Sequence, residues 1–185
     1  MIKKLFVILA TYFFFTSTNS WSMIEIDITE GNREPLPLAI TEFFYDEDEK
    51  GVLAEISTNM RNVMSADLER SGLFKSINKE AFIQENESMH LRPRFEDWRL
   101  IKAQGLITGD LSIEGEKLKV EFRLWDTLAE KEIEALVLIT TKENWRRVSH
   151  MIADKIYERL TGEEGYFDTR IVYVSEEGPK NKRVK

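Results

Sequence analysis

The chain has 185 residues, with 26 Lys plus Arg against 33 Asp plus Glu, a formal charge of −7, two histidines and no cysteine. An apolar fraction of 42% can build a core, so the length predicts one domain with at most a short appendage. Zero cysteines exclude a disulfide scaffold, a thiolate metal site and a thiol nucleophile; the acidic balance opposes binding that rests on phosphate neutralisation, and two histidines oppose a multi-His metal centre.

Residues 1–22 read as a targeting segment rather than as fold. Lys3 and Lys4 precede an uncharged, largely apolar run over 5–15, and a small polar stretch follows. That run is shorter than the roughly 20 residues that span a bilayer. Ser20 and Ser22 stand at −3 and −1 if cleavage follows Ser22. Export to the periplasm with no stable membrane insertion after removal is the expectation. Removing the two lysines takes the charge from −7 to −9.

In the remainder, Ile24, Ile26 and Ile28 alternate with Glu25, Asp27 and Thr29, a period-2 extended segment. A glycine and two prolines interrupt it over 31–37, and an apolar strand is predicted over 38–44. The acidic run 46–49 reads as a solvated turn. Val52, Ile56, Met60, Val63 and Leu68 predict an amphipathic helix over 52–71, closed by Gly72. A short strand over 73–77 and a short helical pattern through Phe95, Trp98 and Ile101 follow. Strands over 106–113 and 117–125 form a hairpin about Glu114, Gly115 and Glu116. In its second strand Leu118, Val120, Phe122 and Leu124 face a core, while Lys117, Lys119, Glu121 and Arg123 face water. A third strand is predicted over 133–140, its apolar centre 135–139 the more deeply buried part. Asn144 is the expected cap of a helix whose stripe is Trp145, Val148, Ile152, Ile156 and Leu160, stopped by Gly162. Residues 169–175 read as a lone strand without a partner, followed by a basic polar tail.

These elements predict an α/β (α+β) fold, a mixed β-sheet with two main helices packed on it. No phosphate loop, nucleophile elbow, His-Glu-x-x-His or calcium-loop pattern occurs in the sequence, so no catalytic residue, metal ligand or cofactor is assigned. His150 lies at the edge of the last helical stripe and reads as structural or interfacial. Arg146 and Arg147, at the unfavourable end of the helix dipole, read as solvated or as reaching an acidic neighbour. Trp98, Trp125 and Trp145 read as core residues.

The stretch from Asn144 to Val174, the run Asp67-Leu68-Glu69-Arg70-Ser71-Gly72-Leu73-Phe74, the strand end Phe122 to Asp126 and the strand 37–43 together resemble the TolB family. The resemblance covers residues 23–174. It implies an N-terminal domain like the anticodon-binding domains of some tRNA ligases over 23–165, followed by a β-propeller. Residues 166–185 then correspond to a linker and first-strand remnant of that propeller. No blade repeat follows in this sequence, so contact with the lipoprotein Pal, which the family makes through its propeller, is expected to be lost. The resemblance further gives Trp145, Arg147, His150, Tyr157, Gly162 and Gly165 interdomain or structural duty. It makes Met23, Ile24, Glu25, Ile26, Asp27, Ile28, Thr29 and Glu30 the segment that binds the C-terminal domain of TolA. An alternating strand beside Gly31 and two prolines suits addition to a partner's sheet edge, and equally suits an edge packed at home.

The function this implies is a non-enzymatic periplasmic interaction module that supports envelope integrity and constriction during cell division. Two other readings stand beside it. One is a remnant that folds without acting. The other is a nucleic-acid module suggested by the anticodon-domain likeness, which the export segment and negative charge oppose.

Overall fold

The computed structural model describes residues 24, 26, 34–84, 92–169, 174–176 and 182–184. Two apolar periodicities organise them. Period-2 segments form β1 (Leu36–Ile40), β2 (Phe74–Ser76), β3 (Gly105–Glu114), β4 (Lys117–Asp126) and β5 (Lys131–Thr141). Helical spacing forms α1 (Lys50–Arg70), the short α2 (Phe95–Leu100) and α3 (Trp145–Thr161). The five strands make one mixed sheet in the order β2-β1-β3-β4-β5. β1 runs parallel to β2 and β3, and the β3-β4-β5 meander is antiparallel. The α+β class read from the sequence is the class observed.

Strand alternation decides which layer each side chain enters. Leu38 and Ile40 of β1 join the main core, while Ala39 between them enters a smaller cluster on the opposite face. The main core lies between the sheet and helices α1 and α3. Leu118, Val120, Phe122 and Leu124 supply β4's share, as the alternation requires. The smaller cluster is Ala39, Trp98, Ala103 and Leu106, with Phe82 edge-on to Trp98 at 5.0 Å. Trp98 is fully buried, and Trp125 is half-buried with its indole N–H donating to Thr108 Oγ1 at 2.9 Å.

Four expectations need correction. First, the buried stripe of α1 is Leu53, Ile56, Met60, Met64 and Leu68, with Ser57 and Asp67 beside it. Val52 is 52% exposed and Val63 half-buried. A polar Ser57 whose hydroxyl donates to Phe43 O at 2.9 Å fits the inner face, so apolarity alone misjudged the helix rotation.

Second, the centre of β5 is not its buried part. Ala135, Val137 and Ile139 are exposed and Leu136 and Leu138 only half-buried, because β5 is the last strand of the sheet.

Third, Asn144 precedes α3 without a side-chain cap bond. It closes a 3-10 turn (Lys142–Asn144), and its amide donates instead to Thr141 Oγ1 at 3.2 Å. Fourth, the last strand is paired: β6 (Val174–Glu176) and β7 (Lys182–Val184) form an antiparallel hairpin, with Val174 opposite Val184. Residues 170–173, part of that predicted strand, lie outside the described residues.

Candidate functional site

Three arrangements gather the residues singled out by sequence. The first holds the N-terminal segment. β4 ends at Asp126, which is fully buried. Its Oδ1 accepts the backbone N–H groups of Leu128 (2.9 Å) and Ala129 (2.8 Å), an Asx-type turn leading into β5. Its Oδ2 accepts the backbone N–H of Ile24 at 3.0 Å. Two residues on, the Ile26 N–H donates to Leu160 O at 2.6 Å. Leu160 lies in the last turn of α3, where helix carbonyls have no intrahelical donor. The Ile24 side chain sits in the main core, and Ile26 packs half-buried against it. The segment is therefore fastened at alternate residues by a carboxylate, a helix-end carbonyl and two isoleucines. Met23, Glu25, Asp27, Ile28, Thr29 and Glu30 lie outside the described residues, as does the cleavage position Ser22.

The second arrangement joins α1 to α3. Asp67 is buried near the end of α1, and its Oδ2 stands 2.5 Å from His150 Nδ1 on α3. Arg70 Nη1 donates to Asp67 Oδ1 at 3.1 Å. The run 67–74 is a helix-ending device. The Ser71 hydroxyl donates to Leu68 O at 2.6 Å, and its oxygen accepts the Leu73 N–H at 3.2 Å. Leu68 and Phe74 enter the core. A groove of about 340 Å³ opens beside the pair, lined by Asn59, Asn62, Arg70, Trp145, Arg146 and His150 among others. Trp145 is half-buried and packs against the core.

The third arrangement fixes the exit from α3. Gly162 adopts φ +75° and its N–H donates to Glu158 O at 2.9 Å, an αL helix end that favours glycine. The chain then turns back over its own helix. Asp154 accepts the N–H groups of Phe167 (2.6 Å) and Asp168 (2.9 Å), and Arg147 Nε lies 3.1 Å from Asp168 Oδ2. Gly165 passes so close that a Cβ there would stand 2.5 Å from Asp154 Cα. Tyr157 stacks edge-on with Phe74, Tyr166 and Phe167 at 6.2, 5.4 and 5.8 Å. Burial, with a smaller contribution from Tyr166 and then Glu163, raises the Tyr157 phenol above its usual 10.0. The structure thus places all six of Trp145, Arg147, His150, Tyr157, Gly162 and Gly165 on α3 and its exit, with Trp145 and His150 at the groove and the other four at the returning chain.

Sequence reading missed the carboxylates that do the fastening. Asp67, Asp126 and Asp154 were visible only as letters of the stretches that carry the resemblance. For Asp126 a signal existed: an aspartate ending an alternating strand, before a four-residue turn, is an Asx-turn pattern. Among the described residues no group of three or more His, Asp or Glu side chains could hold a metal, and no helix is long and apolar enough to cross a membrane.

Comparison with known proteins follows the same outline. Residues 24–133 match the family described as the TolB amino-terminal domain. The Tol-Pal system protein TolB of Pelagibacter ubique (strain HTCC1062) is 50% identical over 191 residues, covering 100% of this chain and 42% of that protein. The chain thus spans less than half the length of that curated relative. The crystal structure of TolB from Acinetobacter baumannii superposes with a TM-score of 0.63 at 24% identity, over 82% of this chain and 35% of that one, a likeness of fold.

Proposed function

Because the chain belongs to the family of TolB amino-terminal domains, we propose that it is a non-enzymatic periplasmic interaction module whose segment 23–30 binds the C-terminal domain of TolA. In this reading the domain helps tie the inner-membrane complex to the outer membrane, supporting envelope integrity and constriction during division. The observation that supports it most is the manner in which the segment is held. Ile24 and Ile26 each give one backbone hydrogen bond and one apolar side chain to the end of the domain. Those same groups, every second residue along an extended chain, are what strand addition to a partner sheet uses. Contacts of this kind at Ile24 and Ile26 can be exchanged for equivalent ones on a partner. Contact with Pal, which the resemblance assigns to a propeller, is no part of this reading.

The test is calorimetry of the mature chain, residues 23–185, against the TolA C-terminal domain, with and without residues 23–30. Binding that disappears with the deletion supports the proposal. Binding that survives the deletion moves the interface elsewhere, and absence of binding by both the intact chain and a 23–30 peptide sinks it.

A further inference from the structure

The sheet has two unlike edges. β2 offers three residues, whereas β5 offers eleven and is the outermost strand on its side. Edge strands are usually blunted by brevity, proline, charge or bulges. Among the described residues, the guards on β5 lie at its start. A register shift falls opposite Leu124 and Trp125, and Arg159 Nε donates to Ile133 O at 2.8 Å. From 135 to 139 the sequence Ala-Leu-Val-Leu-Ile carries no charge and no proline. On its outward face Val137 is 53% and Ile139 57% exposed. The neighbouring outward side chains of β4 are by contrast occupied with each other, Lys119 with Glu121 at 2.8 Å and Arg123 with Glu121, Asp110 and Glu132.

We infer that β5 is a self-association edge, at which two copies of this chain pair β5 to β5, antiparallel, about a two-fold axis near Val137. The edges and the charges both select a second copy in this orientation. Pairing β5 head-to-tail with β2 of another copy matches three residues only, whereas an isologous pair uses the whole strand in both partners. A two-fold axis normal to the sheet also continues the antiparallel sense of β3-β4-β5.

Centred on Val137, the register sets Ala135 opposite Ile139, Leu136 opposite Leu138 and Glu134 opposite Thr140. At the two ends Lys131 and Glu132 meet Glu143 and Lys142 of the 3-10 turn that follows the strand. No like charges meet, and each end joins opposite signs. A parallel pair in the same register would set Lys131 on Lys131 and Glu132 on Glu132. The two outward faces lie on one side of the joined sheet, so Ala135, Val137 and Ile139 of both copies form one apolar stripe. The surface is small against the roughly 1,200–2,000 Å² of a stable complex, so the dimer is weak and concentration-dependent.

The β5 register uses no residue of 23–30, and its test does not depend on TolA. Sedimentation velocity of the mature chain, residues 23–185, is run from about 10 µM to about 1 mM, with hydrogen exchange at both ends of that range. A reversible monomer–dimer equilibrium is expected, with amide exchange at 135–139 slowing as concentration rises. Val137→Lys places two like charges across the axis and weakens the dimer at least about tenfold, while Val137→Thr, a strand former without charge, retains it. Val137 is exposed, and an unchanged far-UV spectrum confirms the fold of each variant. A chain that stays monomeric throughout, forms open polymers, dimerises equally well as Val137→Lys, or shows no concentration-dependent protection at 135–139 overturns the inference.

Discussion

Replacing Asp126 by Asn tests how the N-terminal segment is held. The carboxylate accepts three backbone N–H groups, two at Oδ1 from the turn and one at Oδ2 from Ile24. An asparagine oxygen can keep the two turn bonds only by aiming its NH₂ at the Ile24 N–H, donor against donor. The alternative orientation sacrifices two bonds to keep one. The segment therefore loses its Ile24 bond while the turn survives. A hydrogen bond to a charged group contributes about 1.5–3 kcal/mol, and each 1.4 kcal/mol is a factor of ten. Release of the segment should become roughly 10- to 100-fold more favourable in Asp126→Asn.

Under the proposed partner role, only the released form binds, so apparent affinity is reduced by the released fraction. Asp126→Asn should tighten binding to the TolA C-terminal domain, by up to that same factor of about 10–100 if docking dominates in the parent. Two measurements decide it: hydrogen exchange at the Ile24 amide, and calorimetric titration with the TolA domain. Faster exchange with tighter binding is the expected pair. Faster exchange with unchanged or weaker binding would show that docking and partner binding do not compete. Unchanged exchange would show that the Asp126 bond does not hold the segment.

Two further predictions concern the fold. Leu53→Ala should lower unfolding stability by about 2–5 kcal/mol, because Leu53 is fully buried, whereas Val52→Ala should cost less than about 1 kcal/mol; comparable losses in urea denaturation would restore the helix face read from Val52. The Tyr157 phenol is raised above 10.0 by burial, so the unfolded chain ionises first as pH climbs. Its contribution is intact below that value and fades above it as pH rises toward the folded pKa. Tyr157→Phe should therefore flatten the alkaline fall in the denaturation midpoint, and an identical fall in both proteins would refute the assignment.

How much of this was legible in the sequence depends on whether a feature is local. From Lys117 to Leu124, β4 read correctly because each inward residue is apolar and each outward one charged, so periodicity and burial carry the same information. The end of α3 read correctly because Gly162 marks an αL position directly. The face of α1 did not, since Ser57 and Asp67 occupy inner positions and satisfy themselves through Phe43 and His150, partners distant in sequence. β5 misled for the opposite reason. Ala135 to Ile139 is apolar on both faces, which one chain expresses as burial and an edge strand expresses as exposure; only the strand order decides.

The same distinction governs the site. Alternation marked Ile24 and Ile26 as extended, and nothing local could say what they rest on. Their acceptors are an aspartate 102 positions away and a carbonyl at the far end of α3. Those acceptors exist for reasons of their own: Asp126 shapes the turn into β5, and Leu160 O is left over because a helix must end. Ile24 and Ile26 are thus held by groups that the fold already supplies. A strand end and a helix end, brought together by packing α3 on the sheet, leave one carboxylate oxygen and one carbonyl facing the same extended segment. Among the described residues, the contacts given up on release are two hydrogen bonds and two isoleucine side chains, those of Ile24 and Ile26. Under the proposed partner role, these are the contacts that binding to TolA has to replace.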